Sequence, residues 1–401
     1  MKTLSARSSV VDEIVAFNRD RNPKLVRFKF RRMAKDPLAF FRGTCHLFAA
    51  DWPHLRPPDV GPSILICGDL HLENFGAYRT DDGDFLYDIN DFDEALVAPC
   101  SLDLVRCATS VLVAAQLWKH TPVQAMRSLL AFIDRYRATV IRSARTGRIR
   151  ALSVGTARGP VWDLLQRPVQ ATQVRFLDRF TVRQTDGTRR IDRGSGRFLA
   201  VDRNQRERIC EAVERRGFEV VDVAFRVAGT GSLGLERYAV LVRGEGQVDQ
   251  SRILDIKEAR ASALLACAAE EQGTDAVSDA RRIVQAQRRL QSKPIACLHV
   301  VDIDGREFRM RELIPEENRT GLDQLRRQPR RLRRAVAIAG RLVGSAHVRG
   351  CRLESDDRCG DLARWAAGPG LDAVIASAVR YAERNRRDHK TFSRSSESSF
   401  Q

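Results

Sequence analysis

Short apolar runs bounded by polar turns alternate along the chain with longer stretches of helical period. ILIC (64–67) and FLYDI (85–89) read as buried strands that end in polar loops, with the turn-rich RTDDGD between them. NQRERICEAVERRG (204–217) predicts a helix with a glycine stop. FRVAGTGSLGLERYAVLV (225–242) predicts a hairpin, and RILDIKEA (252–259) a strand behind it. Amphipathic spacing predicts helices over 261–272 and 279–291, and IACLHVVDIDGREFRMREL (295–313) a hairpin turned by Asp304-Gly305. RRAVAIAGRLVGSAHVRG (333–350) reads as a mostly buried helix. The stretch from about 146 to 197 is polar, rich in Gly and Arg and weakly periodic, so a loop-rich insertion is expected there. Residues 393–401, SRSSESSFQ, are expected to be disordered. The sum is an α+β chain.

Composition bounds this picture. With 401 residues, 43% of them hydrophobic and 30% charged, the chain can bury two sizeable cores. No apolar run reaches the length of a membrane span, and the first residues lack a secretion signal's apolar centre. A cytoplasmic protein that engages no membrane is expected. Nine Cys are scattered without a CxxC pair, which favours small buried hydrophobes over a disulfide frame or a zinc site. The net charge of +17 permits a nucleic-acid partner. The arginines, however, are spread along the whole chain, as codon drift in a GC-rich genome would leave them, so the charge does not favour one.

Chemistry concentrates at two strand ends. ICGDLHLENFG (66–76) brings Asp69 and Asn74 onto one loop; DINDFDEA (88–95) brings Asp91 and Asp93 onto the next. Hard oxygens from Asn74 and Asp91 suit Mg²⁺ on a nucleotide's phosphates, while Asp69 suits proton acceptance from a hydroxyl. The alternatives are a merely capped turn or a two-carboxylate hydrolase, and Asn serves the latter poorly. GDLHLEN followed by DFDEA resembles the catalytic and metal loops of aminoglycoside phosphotransferases and choline kinases. That resemblance implies Asp69 as catalytic base, Asn74 and Asp91 as metal ligands, and His71 as a loop-positioning residue. It implies that Asp103 of SLDLVR braces the catalytic loop. Cys67 stands where that family usually carries His.

Kinase chemistry also requires a phosphate-covering loop and a lysine. GTGSLG supplies Gly229, Gly231, Ser232 and Gly234 between two strand-like runs, a weak signal alone because any tight hairpin uses glycine. Lys257 of RILDIKEA strengthens it. It is the sole lysine between Lys119 and Lys293 in a chain that otherwise prefers arginine, which argues for a compact ammonium on phosphate. Its acidic partner is expected at Glu270 or Glu271 by spacing alone.

These parts stand in an unusual order, with the catalytic loop ahead of the glycine loop. A circularly permuted, two-lobed protein kinase-like fold accounts for it. RRMAKDPLAFFRG (31–43), GDLHLENFG, NDFDEA, GTGSLG, IKEA and RRIVQAQRRLQ, in this order, resemble the bacterial domain of unknown function 2252, grouped with kinase-like folds. Arg42, at the end of the first motif, is a candidate to reach the phosphates or to pack a helix. The expected organisation is an N-terminal helical segment (1–63), a large-lobe part (64–217), a small nucleotide-binding lobe (218–314), a hinge with the remaining helices (315–392) and the tail. The expected activity is ATP- and Mg²⁺-dependent phosphoryl transfer to a hydroxyl of a small molecule. Kinase-like nucleotidyl transfer and a non-catalytic nucleotide-binding scaffold with a basic surface are the alternatives.

Overall fold

The computed structural model describes residues 9–170, 173–244, 250–268, 277–314, 325–351 and 356–399. The N-terminal segment folds as helices α1 (Val10–Asn18), α2 (Pro23–Lys35), α3 (Pro37–Gly43) and α4 (Cys45–Leu55). Their starts are written locally. Asn22 accepts from the amides of Lys24 and Leu25 ahead of Pro23, and Asp36 accepts from Leu38 and Ala39 ahead of Pro37.

Four short strands follow: β1 (Ser63–Ile66), β2 (Phe75–Arg79), β3 (Phe85–Ile89) and β4 (Leu96–Pro99). β1 pairs with β4 and β2 with β3, both antiparallel. Helices α5 (Ser101–Leu117) and α6 (Pro122–Thr146) come next. Near the C-terminus run the long α11 (Pro329–Cys351), α12 (Asp356–Ala367) and α13 (Gly370–Ser399). Their apolar faces, with those of α3, α4, β1 and β4, form one continuous core. Glycines let α11 settle deep in it. A Cβ at Gly340 would lie 2.1 Å from the Phe132 carbonyl of α6, and one at Gly350 2.3 Å from the Leu65 carbonyl of β1.

Five longer strands and one short one form a six-stranded antiparallel sheet of order β11-β12-β10-β9-β8-β7. Its strands are β7 (Phe198–Leu199), β8 (Val220–Arg226), β9 (Arg237–Val242), β10 (Arg252–Glu258), β11 (His299–Ile303) and β12 (Arg306–Glu312). Helix α9 (Arg203–Glu214) covers one face through Ile209 and Val213, which pack with Leu254 and Ile256 of β10. Helix α10 (Asp279–Leu290) joins the sheet to the helical core, where Ile283, Ala286 and Leu290 are buried. The β11–β12 turn has Asp304 and Gly305 at φ 57° and 76°, as the Asp-Gly pair predicts.

Three local expectations are corrected. The 146–197 segment has long loop stretches but is more regular than expected. It holds α7 (Pro160–Gln170), α8 (Gln173–Asp178) and the hairpin of β5 (Thr181–Arg183) with β6 (Arg189–Ile191). Leu177, Phe180 and Ile191 cover the other sheet face, over Ala239, Leu241 and Ile253. Sparse apolar residues among many arginines hid that periodicity. Residues 261–268 form turns and a single 3₁₀ turn, Leu265–Cys267, rather than a helix, because Ser262 bonds the Glu94 carbonyl and Leu264 is fully buried. Residues 269–272 of that predicted helix lie outside the described residues. The segment expected to be a disordered tail continues α13 to Ser399, anchored where Phe392 is buried and Ser393 Oγ donates to the Ala34 carbonyl at 2.8 Å.

None of the nine Cys forms a disulfide among the described residues, and eight are buried. No described helix is long and apolar enough to cross a membrane.

Candidate functional site

Asp69 stands on a turn that requires a glycine just before it. Gly68 takes φ 67°, and a Cβ there would lie 2.2 Å from the Glu94 carbonyl. Asp69 itself has φ 38°, a region Asp tolerates better than most residues. Asp103, wholly buried in the first turn of α5, holds the turn. Its Oδ2 and Oδ1 accept from the amides of Cys67 and Gly68, each at 2.9 Å. Behind it, His347 Nε2 of α11 lies 3.3 Å from Asp103 Oδ2, and Tyr136 Oη is 2.9 Å from His347 Nδ1.

The Asp69 carboxylate meets Arg106. Nε and Nη2 both lie 2.8 Å from Oδ1. Arg106 is fully buried, stacks 3.6 Å from the Phe41 ring centroid and donates from Nη2 to the Phe41 carbonyl at 2.6 Å. Burial raises the Asp69 carboxyl above its ordinary value although Arg106 opposes the shift.

His71 and Asn74 form a capping box on the 3₁₀ turn Leu72–Asn74. His71 Nδ1 accepts from the Glu73 amide at 3.2 Å, and Asn74 Oδ1 accepts from the His71 amide at 2.6 Å. The Asn90 amide donates to the Asn74 carbonyl at 2.7 Å, which joins the Asp69 loop to the loop carrying Asp91. Asp91 is exposed. Arg42 forms an ion pair with Glu73.

Across from these loops stand the β8–β9 loop and β10. Asp93 and the ammonium of Lys257 are in direct contact. Burial would raise the Asp93 carboxyl, but the charges of Lys257 and Arg309 outweigh it and hold the group below the usual carboxylate range. The neighbouring Glu94 accepts from the Ala263 amide at 2.6 Å and from Ser262 Oγ at 3.0 Å. Burial and the Asp69 charge push its carboxyl up to about 7. Glu270 and Glu271, expected to partner Lys257, lie outside the described residues.

Gly229 and Gly234 take φ 79° and 91°, and a Cβ on Gly234 would lie 2.8 Å from Arg21 Cβ. The carbonyl of Gly231 accepts from Arg21 Nη1 at 2.6 Å and from Lys29 Nζ at 3.2 Å. The Asn22 amide donates to the Gly234 carbonyl at 3.0 Å. The N-terminal helices thus clamp the glycine loop from behind. Lys29 has no exposed surface, and burial with Arg21 beside it pulls its ammonium well below the ordinary lysine value.

All these loops open on one cleft of about 540 Å³, lined by Asp69, His71, Asn74, Asp91 and Asp93 on one side and by Gly229, Gly231, Ser232, Lys257 and Arg309 on the other. The chain belongs to the DUF2252 family, described as uncharacterized protein conserved in bacteria, whose sequence model matches residues 21–395. No curated protein and no solved structure matches the chain. The DUF2252 match takes in every residue that lines the cleft except Phe17, which lies ahead of it, stacked on His46 with ring centroids 4.0 Å apart.

Sequence reasoning missed Arg106, Glu94, Arg21 and Lys29. Arg106 carried a signal: it follows Asp103 by three residues on one helix, so both face the same loop. Lys29 carried no such signal, because Lys24 and Lys35 flank it closely in sequence. Nothing local marks Arg21 or Glu94, whose roles depend on segments distant in sequence.

Proposed function

We propose that this DUF2252 protein is a Mg²⁺-dependent phosphotransferase that moves a phosphoryl group from ATP to a hydroxyl of a small molecule. The observation that carries the reading is the convergence of Asp69, Asn74 and Asp91 with the 229–234 loop and Lys257 on one cleft. Its volume falls in the range of about 300–1,000 Å³ common for small-molecule sites.

The residues fit the cation. Asp91 offers an exposed carboxylate, and Asn74 Oδ1, although it accepts from His71, keeps a second lone pair. Among the described residues no group of three or more His, Cys, Asp or Glu could hold a metal alone. That pattern suits an ion shared with phosphate oxygens rather than caged by protein. When bound, Mg²⁺ supplies charge neutralisation on the phosphates.

In this reading Asp69 accepts the proton of the acceptor hydroxyl as the new oxygen–phosphorus bond forms and the bond to the departing ADP breaks. Both Arg106 contacts fall on Oδ1, so Oδ2 is the atom assigned to take the proton. Lys257 and the backbone amides of 229–234 hold the phosphates. The raised Asp69 carboxyl supports a base over a purely capping residue.

A permuted kinase-like arrangement is supported by two relationships. Strands β8 to β10 form a glycine-loop hairpin followed by a lysine-bearing strand, and the end of α11 abuts β1 through Gly350, just ahead of the Asp69 loop. The test is a screen of metabolites bearing hydroxyl groups, read by Mg²⁺-dependent conversion of ATP to ADP, with Asp69→Asn as the control. Stimulation by one acceptor class in the wild type alone supports the reading. Stimulation that survives Asp69→Asn removes Asp69 as the base.

A further inference from the structure

One face of the sheet changes character along its length. On β10, Ile253, Asp255 and Lys257 share a face by strand alternation. Ile253 lies beneath the apolar cover of the 160–191 segment, whereas Lys257 reaches the cleft. Arg237 of β9 and Arg309 of β12 stand opposite Lys257, and Arg311 stands opposite Asp255. A small-molecule pocket is usually apolar with a few polar groups. This wall is almost wholly ionic.

Asp255 is satisfied within the sheet. It accepts from Arg237 at 2.6 and 2.7 Å and from Arg226 at 2.7 Å. Arg309 is not. It is 3% exposed and lines the cleft, its Nη2 is 3.6 Å from Asp255, and its Nε and Nη1 find no acceptor among the described residues. Arg311, 5% exposed, donates from Nη1 to the Asn90 carbonyl at 2.6 Å, and its Nε also finds no acceptor. Buried guanidinium donors are seldom left without an acceptor, because desolvation of a cation is costly. From the opposite loops Asp93 reaches this wall, in contact with Lys257.

We propose that Arg309, Arg311 and Lys257 form a subsite for a phosphate chain, and that Asp93 is a displaceable counter-ion holding the position of one phosphate. The assignment of the ligand rests on the phosphotransferase reading above. A phosphate chain offers several anionic oxygens to two planar guanidinium forks and one ammonium, whereas Asp93 offers one charge. Recognition then falls on the donor's phosphates more than on its base.

The test is calorimetric titration of the full chain with inorganic tripolyphosphate, which has no base, in the absence of Mg²⁺. The wild type should bind it. Arg309→Gln should weaken binding by about tenfold or more, and Asp93→Asn should strengthen it by about tenfold, as gain or loss of one charged partner implies. Where Arg309→Gln fails to fold, Asp93→Asn decides alone: unchanged or weaker binding overturns the proposal. Tripolyphosphate that fails to bind while Mg-ATP binds overturns the subsite and leaves the phosphotransferase reading standing. Variants that behave as expected in a protein that transfers no phosphoryl group leave the subsite and remove that reading.

Discussion

Lys257 and Asp93 meet across the cleft although 164 positions separate them in the chain. The lysine comes from β10 and the aspartate from the loop after β3, so the contact ties the sheet to the helical core. Arg282 of α10 reinforces it, donating to the Asp93 and Ala95 carbonyls at 3.0 and 2.6 Å. Replacing Asp93 with Asn leaves a nearly buried ammonium without its anion. A loss of about 1–3 kcal/mol is expected, below the full value for a buried pair because Asp93 is 24% exposed. Urea unfolding of Asp93→Asn checks it, and an unchanged midpoint would show that the pair contributes nothing to stability.

Asp103 is expected to be structural rather than catalytic. Asp103→Ala strips the acceptors from the amides of Cys67 and Gly68 in a fully buried setting. The expected loss is about 2–6 kcal/mol, one to three for each orphaned donor. Asp103→Asn keeps one acceptor oxygen and should lose roughly half as much. Equal unfolding midpoints for wild type and Asp103→Ala would refute the bracing role.

Glu94 gives the protein a pH signature. Its carboxyl moves from an ordinary 4.5 up to about 7, so the folded chain holds this proton more tightly than the unfolded chain. Its contribution to stability is therefore complete below about 4.5 and is lost as pH rises through about 7. Thermal melts of wild type and Glu94→Gln across that window should show the wild type losing ground as pH rises. A difference that stays constant with pH would contradict the assignment.

Asp69→Asn keeps the side chain's size and removes its charge. Turnover with any acceptor found should fall by about 10²–10⁴-fold while nucleotide affinity changes little, the pattern of a group needed in the transition state. If Asp69 only shaped its turn, Asn would serve nearly as well and turnover would persist.

The site's framework was legible because its residues answer to backbone demands that sequence displays. Gly68, Gly229 and Gly234 take left-handed φ where close neighbours leave no room for a side chain. The strand ends before Asp69 and Asp91 followed from two short apolar runs. What sequence could not carry was the matching of distant segments. Lys29 bonds Gly231 from 202 positions away, and Lys257 is in contact with Asp93, 164 positions away. Residues 261–268 have helical spacing, yet bonds from Ser262 and Ala263 to Glu94 outweigh that local preference. The cover over the sheet's second face was hidden by arginines such as Arg189, buried and paired with Asp178 at 2.7 Å, which read as solvent-exposed.

In the proposed phosphotransferase, the cleft binds a Mg-nucleotide through Lys257. Calorimetric titration of Mg-ATP into wild type and Lys257→Ala tests it most directly. The wild type should show measurable, Mg²⁺-dependent binding and Lys257→Ala an affinity lower by about tenfold or more, as loss of one charged phosphate contact implies. No binding by the wild type, or equal affinities in the two proteins, would contradict it.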